Sequence, residues 1–326
     1  MKAAFRITEA CWPLSVVTLL CLTSCASPEA SFPVQRGDEA DAALPPVEDR
    51  LPASCQTELD WPAEVRVGVT PYVGAAIAHE QFEGVVAYLT VKLGRPVRFV
   101  SADGYEDLVA KVERKQVDIA SLAPLSYVLA RQRVPCLRLL LTQVAQGSLH
   151  YASYIMVGAG SEVTSLDGLR GHPFAFTSRD SASGYLFPTA FLLHQGVSPE
   201  QFFSRVEFAG DHLAAVLMLV QGKVDAIASF ARALSLARSA GIDTGNLRVL
   251  AVAGRVPYDA VVARPGLNRA LADGVQQALL ELNATTEEGR RVLGANSEIG
   301  GWVRTTDALY DPIRENLRLV EGGGNR

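Results

Sequence analysis

Positive charge is what this chain is short of. Its 30 lysines and arginines are outnumbered by 35 aspartates and glutamates, for a net charge of −5, so no field gathers a polyanion over the surface as a whole. Nucleic acid is therefore not expected as a partner, whereas a small anion in a local pocket stays allowed. Histidine and cysteine are scarce, at 5 each in 326 residues. His79, His150, His172, His194 and His212 show no paired ligand spacing and the cysteines do not cluster, so neither a metal nor a cofactor is expected. No Gly-x-Ser-x-Gly elbow occurs, which leaves a Ser183, His212, Asp225 triad unsupported and no residue expected to be catalytic. Beyond the N-terminal segment no window reaches the run of about 18 apolar residues that spans a bilayer. Repeats are absent too, and low complexity is confined to one stretch near the N-terminus.

What is present is ordinary globular material. At 48% hydrophobic, the chain is long enough for two domains with their own cores. Residues 1–25 read as an export signal: Lys2 and Arg6, an apolar run from Trp12 to Leu22, then Leu22-Thr23-Ser24-Cys25. Those four residues resemble a bacterial lipobox, in which cleavage before Cys25 leaves its thiol to carry a lipid. Residues 26–60, with Pro28, Pro33, Pro45, Pro46 and Pro52 and no apolar period, are expected to form a tether. The expected location is extracytoplasmic and membrane-anchored, on the periplasmic face or the cell surface. Which membrane holds the anchor stays open, because Ala26 rather than Asp follows Cys25. Cys55 and Cys136 would then share an oxidising compartment, either bridged or as two free thiols.

Downstream, short β-branched runs alternate with helical periods. Val65–Val69, Val97–Ser101 and 117–122 read as parallel strands separated by helices from about Glu80 to Leu93 and from Tyr105 to Lys115. A helix from Leu125 to Gln132 and strands Leu137–Val144 and Tyr151–Val157 follow. A second set then begins with strand Pro173–Phe176 and a helix from about Tyr185 to His194, and continues with helix 214–221, strand 225–229, helix 232–240 and strand 247–253. The expected fold is α/β and two-lobed, hinged by crossover strands with a ligand cleft between the lobes. The first lobe covers 61–153, the second 154–254, and 255–326 returns to the first, with a strand at 259–263, a helix at 268–282 and short helices near Glu287 and Asp307.

Ser181-Ala182-Ser183-Gly184-Tyr185 gathers hydroxyls and unpaired backbone N–H groups at a helix start, a place that favours negative charge. Together with Val65-Arg66-Val67-Gly68-Val69, Ala102-Asp103-Gly104-Tyr105, Gln116-Val117-Asp118-Ile119-Ala120 and Tyr151 to Val157, it gives the chain from Val65 to Arg264 a resemblance to the phosphonate-binding family of ABC-transporter solute-binding proteins, the type II periplasmic-binding-protein fold. The family's Asp-Ser-Thr-Ser-Gly-x-x-x-Pro motif stands here as Asp180 to Pro188, and Ala209-Gly210-Asp211-His212 and Gly222-Lys223-Val224-Asp225-Ala226 complete the set.

The resemblance implies that Ser181, Ser183 and nearby amides such as Gly184 hold a phosphorus oxyanion, while Tyr105, Tyr151 and His212 close on it. Neutral hydroxyl donors suit an anion that must leave water. Ala182 departs from the family's Thr and removes one donor. Arg232 stands where relatives that bind aminophosphonates carry a carboxylate, and it faces either the cleft or solvent. Asp259 matches an acidic position near the site and would pair with Arg232 if both face inward. The expected activity is capture of phosphonate, phosphite or phosphate by a monomer and delivery to an ABC permease in the inner membrane. A lipoprotein of the same fold that senses its ligand and signals to a membrane partner is the alternative.

Overall fold

The computed structural model describes Cys55 and residues 60–134, 136–294 and 299–323. The signal, Cys25 and the tether up to residue 59, apart from Cys55, lie outside them. Strands β1 (Val65–Val69), β2 (Val97–Phe99) and β3 (Ile119–Leu122) pair in parallel, because helices α1 (Ala75–Leu93) and α2 (Tyr105–Glu113) return the chain to the same end of the sheet. Gly94, at φ 60°, stops α1 in the left-handed conformation that a Cβ disfavours. After α3 (Pro124–Arg133), β4 (Arg138–Val144) completes the first pass through this sheet.

Strand β5 (His150–Gly158) then opens a second sheet with β6 (Pro173–Phe176), β7 (Arg205–Phe208), β8 (Ala226–Phe230) and β9 (Leu247–Pro257). Around it pack α4 (Phe187–His194), α5 (Pro199–Phe202), α6 (His212–Val220) and α7 (Ala231–Ser239). The chain comes back through β10 (Ala260–Ala263), α8 (Arg269–Glu281), α9 (Glu287–Leu293), β11 (Gly301–Val303) and α10 (Asp311–Gly323). The six-stranded sheet runs β11-β4-β10-β3-β1-β2 and the five-stranded sheet β7-β6-β8-β5-β9. Two crossovers therefore join the lobes, residues 145–149 going out and Tyr258-Asp259 coming back. They lie side by side, with Tyr258 N–H donating to the Leu149 carbonyl at 2.9 Å and His150 registered on Pro257.

Several elements differ from the sequence reading. Helix α1 begins at Ala75, five residues earlier than the periodicity suggests, directly after Gly74 at φ 97°. The helix placed at Tyr185 is preceded by a π-helical turn over Ala182–Leu186, so Tyr185 lies inside that turn. Strands β7 and β11 and helix α5 were not anticipated, and the short helix expected near Asp307 is a single 3-10 turn over Asp307–Tyr310 that runs on into the longer α10. Strand β7 is a four-residue edge strand that pairs only with β6, and β11 adds three residues beside β4. Helix α10 packs against both α3 and α4, and its Ile313 is fully buried with Tyr127, Leu186 and Phe187. One apolar cluster thus spans both lobes behind the cleft. Asp60, assigned to the tether, is held in the folded body by hydrogen bonds to Gly266 O and from Asn268 N–H. Cys55 and Cys136 are joined in a disulfide whose partners stand 81 residues apart.

Beneath β1 and β3 a buried ion network pins the lobe. Asp118, with no exposed side-chain surface, accepts from Arg66 N–H and its guanidinium at 2.8 to 2.9 Å and from Arg264 Nε at 2.8 Å. Burial works to raise the pKa of its carboxyl, but the Arg66 and Arg264 hydrogen bonds outweigh it and hold it below the usual carboxylate range. The stability this provides is present above the unfolded carboxylate pKa and is lost as pH falls through the lower folded one. Asp118→Ala removes the carboxylate that Arg66 and buried Arg264 share and leaves Arg264 only Asp60 Oδ2 and the Pro265 carbonyl, so urea unfolding should report a loss of about 3 kcal/mol. An unchanged midpoint would show the network to be dispensable.

Candidate functional site

In both sheets the parallel strands point their C-terminal ends at the space between the lobes, the position where α/β sheets present ligand-binding loops. Tyr72 follows β1, Ala123 and Pro124 follow β3, the π-helical turn follows β6, Phe230 closes β8 and Arg232 stands in the first turn of α7. Tyr105 enters from the first turn of α2, Tyr151 from the start of β5 and Asp259 from the returning crossover. They line one cavity of about 430 Å³, its open mouth included. The lobes already touch across it: His212 N–H donates to the Tyr72 carbonyl at 3.0 Å, and Arg232 Nη2 to Gln81 Oε1 at 3.2 Å.

The π-helical turn is held from behind. Ser181 caps it, its Oγ accepting from Gly184 N–H at 3.0 Å, while Gly184 O accepts from Thr177 N–H at 3.1 Å. Ser153 Oγ donates to the Ser183 carbonyl at 2.7 Å, and Tyr151 OH lies 3.4 Å from Ser183 Oγ. Ser181 Oγ therefore fronts the cavity with one lone pair already engaged. His212 completes a chain of three side chains, its Nε2 3.2 Å from Ser181 Oγ and its Nδ1 2.9 Å from Ser229 Oγ. Burial pushes the imidazole pKa down to about 3, so the ring is neutral and carries a single N–H. A neutral ring between two hydroxyls can relay polarity without adding a charge.

Tyr105 is 5% exposed, and its hydroxyl has no hydrogen-bond partner among the described residues. A buried hydroxyl left unmatched at the wall of a cavity marks where a guest's acceptor belongs. Burial raises the pKa of both Tyr105 and Tyr151, so both remain donors at neutral pH. Among the described residues the wall carries one cation, Arg232, and one acid, Asp259. Burial pushes Asp259 up to about 6, against the opposing pull of Arg232 and of Ser121, whose Oγ donates at 3.5 Å. The arrangement suits a small tetrahedral anion: hydroxyl donors on one side, a single guanidinium, and aromatic rings as the remaining walls.

The structure places Tyr105, Tyr151, Ser181, His212, Arg232 and Asp259 together on the cavity wall. Arg232, at 8% exposure, faces inward, which removes the solvent-facing reading. Ser183 and Gly184 do not line the cavity. The Ser183 hydroxyl faces Tyr151 and the Gly184 amide is spent on Ser181, because the turn is π-helical and rotates those groups toward the protein. Asp225 accepts from His172 Nδ1 at 2.8 Å rather than meeting His212, so the serine triad is not assembled. Tyr72, Gln143, Phe230 and Tyr258 also line the cavity and were missed. Each sits at or beside a strand end, which is the one signal they carry, and no spacing links them.

Known proteins share the sequence pattern and the fold of this chain. The family model described as "ABC transporter, phosphonate, periplasmic substrate-binding protein" matches residues 67–310. The phosphate-import protein PhnD of Mycolicibacterium smegmatis is 23% identical over 272 residues, covering 78% of this chain and 85% of that protein. The phosphonates-binding periplasmic protein of Escherichia coli is 27% identical over 241 residues, 72% of this chain and 70% of that one. Among solved structures, PhnD1 of Prochlorococcus marinus in complex with methylphosphonate superposes with a TM-score of 0.70 at 22% identity, covering 79% of this chain and 98% of that one.

Proposed function

The chain belongs to the phosphonate-binding family of periplasmic substrate-binding proteins of ABC transporters, and from that premise we propose that its cleft captures a phosphorus oxyanion, a phosphonate, phosphite or phosphate, for delivery to an ABC importer. The observation that carries this reading is the ring of neutral donors around one cavity: Tyr105, Tyr151 and Ser181, with His212 fixed between Ser181 and Ser229. The phosphate-import and phosphonate-binding names of the relatives support the ligand class. The family description favours delivery to a transporter over free-standing sensing. In this proposal Cys25 carries the lipid anchor, the Cys55–Cys136 bridge staples the start of the folded body to the entry of β4, and the protein acts as a monomer. The lobes meet at the crossovers 145–149 and Tyr258-Asp259, a few residues outside the expected 153/154 and 254/255 boundaries, and close on the ligand, with Ser181, Tyr105 and Tyr151 donating to its oxygens and Ser183 acting through Tyr151.

Calorimetric titration of the full-length chain with phosphate, phosphite, methylphosphonate, an aminoalkylphosphonate and a carboxylated phosphonate tests the reading. At least one should bind, and a protein inert to all five would end it. Tyr105→Phe gives a sharper result. Among the described residues its hydroxyl makes no hydrogen bond of normal geometry, so removing it should leave the melting temperature unchanged or slightly higher while affinity for the best ligand falls about tenfold. A lower melting temperature with full affinity would make the hydroxyl structural instead.

A further inference from the structure

The crossover that returns the chain to the first lobe is held on two sides. Tyr258 and Asp259 line the cavity, while their carbonyls are engaged by groups that belong to the first lobe. Asp259 O accepts from Gln143 N–H at 3.0 Å and from Thr142 Oγ1 at 3.2 Å, and Tyr258 O accepts from Tyr310 OH at 3.2 Å. The same Tyr310 hydroxyl lies 3.1 Å from Thr142 Oγ1. Tyr310 is fully buried and does not line the cavity, so it grips the hinge from a place the guest does not reach.

Tyr310 ends the 3-10 turn that runs into α10, and this whole segment is fixed to the first lobe. Tyr127 OH of α3 donates to Asp307 Oδ1 at 2.6 Å, and Arg314 Nη2 of α10 donates to both oxygens of the same carboxylate at 2.7 Å. The Tyr127 and Tyr310 rings meet with centroids 4.6 Å apart. From that anchorage α10 reaches the second lobe. Ile313, with no exposed surface, shares a cluster with Leu186 of the π-helical turn and Phe187 of α4, and Leu317 and Val320 continue its stripe against the same cluster. A helix that belongs to one lobe is thus packed on the other.

Opening a hinged cleft rotates the second lobe about the crossovers, and Leu186 and Phe187 then shift against Ile313. Whichever way they move, a close-packed contact either gaps or overlaps, and both are unfavourable. The contact is therefore complete in one arrangement of the lobes only, the one in which His212 N–H reaches the Tyr72 carbonyl across the cavity. Building on the reading of the cleft as a site that closes over an oxyanion, we infer that α10 braces the closed form: Ile313 and Leu317, with Tyr310 gripping the hinge, are positioning residues that set affinity without touching the ligand.

A brace acts on every ligand alike. Apparent affinity scales with the closed fraction of the ligand-free protein, so weakening the brace multiplies the dissociation constant of every guest by one factor. A protein that leans toward the closed form shows less of the loss in affinity and more in exposure of the contact between the lobes. His212 N–H reports that exposure. As the first residue of α6 it has no acceptor within its own helix, and the Tyr72 carbonyl across the cleft is what shields it from hydrogen exchange. The affinity factor and the exchange factor multiply to the factor by which closure is weakened.

The test is Ile313→Ala in the full-length chain, titrated calorimetrically with phosphate and with methylphosphonate and followed without ligand by hydrogen exchange. The product of the two factors should be roughly tenfold, and the ratio of the two ligands' affinities should stay as in the wild type. Two other amides should keep their wild-type exchange: Ala214 N–H, capped by Asp211 Oδ1 at 2.8 Å at the same helix start, and Thr70 N–H, bonded to Ser121 O at 3.0 Å within the first lobe. Damage to the fold would expose those as well. Leu317→Ala, at a less buried position of the same stripe, should give a product of roughly threefold and keeps the test standing if Ile313→Ala fails to fold. A product near one, a factor that differs between the two ligands, or exchange that quickens equally at all three amides overturns the inference and leaves the oxyanion reading intact. Failure of every phosphorus oxyanion to bind removes that reading and this inference with it.

Discussion

Gly184→Ala is expected to lower the melting temperature by about 10 °C and to abolish oxyanion binding. A Cβ at this position would stand 1.8 Å from Thr177 Oγ1 and 2.7 Å from its Cβ and Cγ2, with nothing flexible to yield. Thr177 is itself fully buried and donates its N–H to Gly184 O at 3.1 Å, so the two segments are clamped at the point of the clash. Overpacking of this kind costs about 3 kcal/mol, which in a domain of this size lowers the melting temperature by about 2–4 °C per kcal/mol. Binding suffers more than stability, because the turn that must move carries Ser181. A double variant, Gly184→Ala with Thr177→Gly, removes the obstructing side chain and should recover part of the affinity. A Gly184→Ala protein that melts and binds like the wild type would show that the turn has room the packing denies.

Ser181→Ala should cost the largest share of affinity for a single side chain, roughly a hundredfold or more, at a stability loss of about 1–2 kcal/mol. Its Oγ accepts from Gly184 N–H, meets His212 Nε2 and fronts the cavity, so one atom links the cap, the imidazole and the guest. Without it, the buried Gly184 N–H loses its acceptor and His212 loses one of the two hydroxyls that orient it. Calorimetry against the best-bound oxyanion, paired with a urea melt, separates the effects. A drop in stability without loss of affinity would reduce Ser181 to a helix cap and shift the oxyanion elsewhere in the cleft.

The same segment shows where a linear reading succeeds. Val65–Val69 and Pro173–Phe176 were readable to the residue, because a β-branched or aromatic run bounded by turn residues has few other ways to bury itself. Strand β7, Arg-Val-Glu-Phe, was not readable. Its four residues alternate polar and apolar, but so short a run does not stand out from a loop, and its strand character comes from pairing with β6. Helix α10 carries Ile313, Leu317 and Val320 at helical spacing, yet the partners that make this stripe worth burying are Leu186, Phe187 and Tyr127, far away in the chain. At the site, Ser181, Tyr105, Tyr151 and His212 were legible through the resemblance. Tyr72, Gln143 and Tyr258 were not, since a residue beside a strand end looks like any loop residue until the opposite lobe stands in front of it.

Local chemistry along the chain settled which segments form strands and helices, their order, and hence an α/β body with loops at parallel strand ends, because burial periodicity and turn residues act over a few positions. Packing between distant segments settled the rest. Ser183 turns toward Tyr151 and Ser181 toward the cavity, Arg232 and Asp259 share one wall, and Ser229 holds His212. Which way a hydroxyl points depends on the hydrogen bonds offered by segments 17 to 32 residues away, and no short-range pattern encodes those offers.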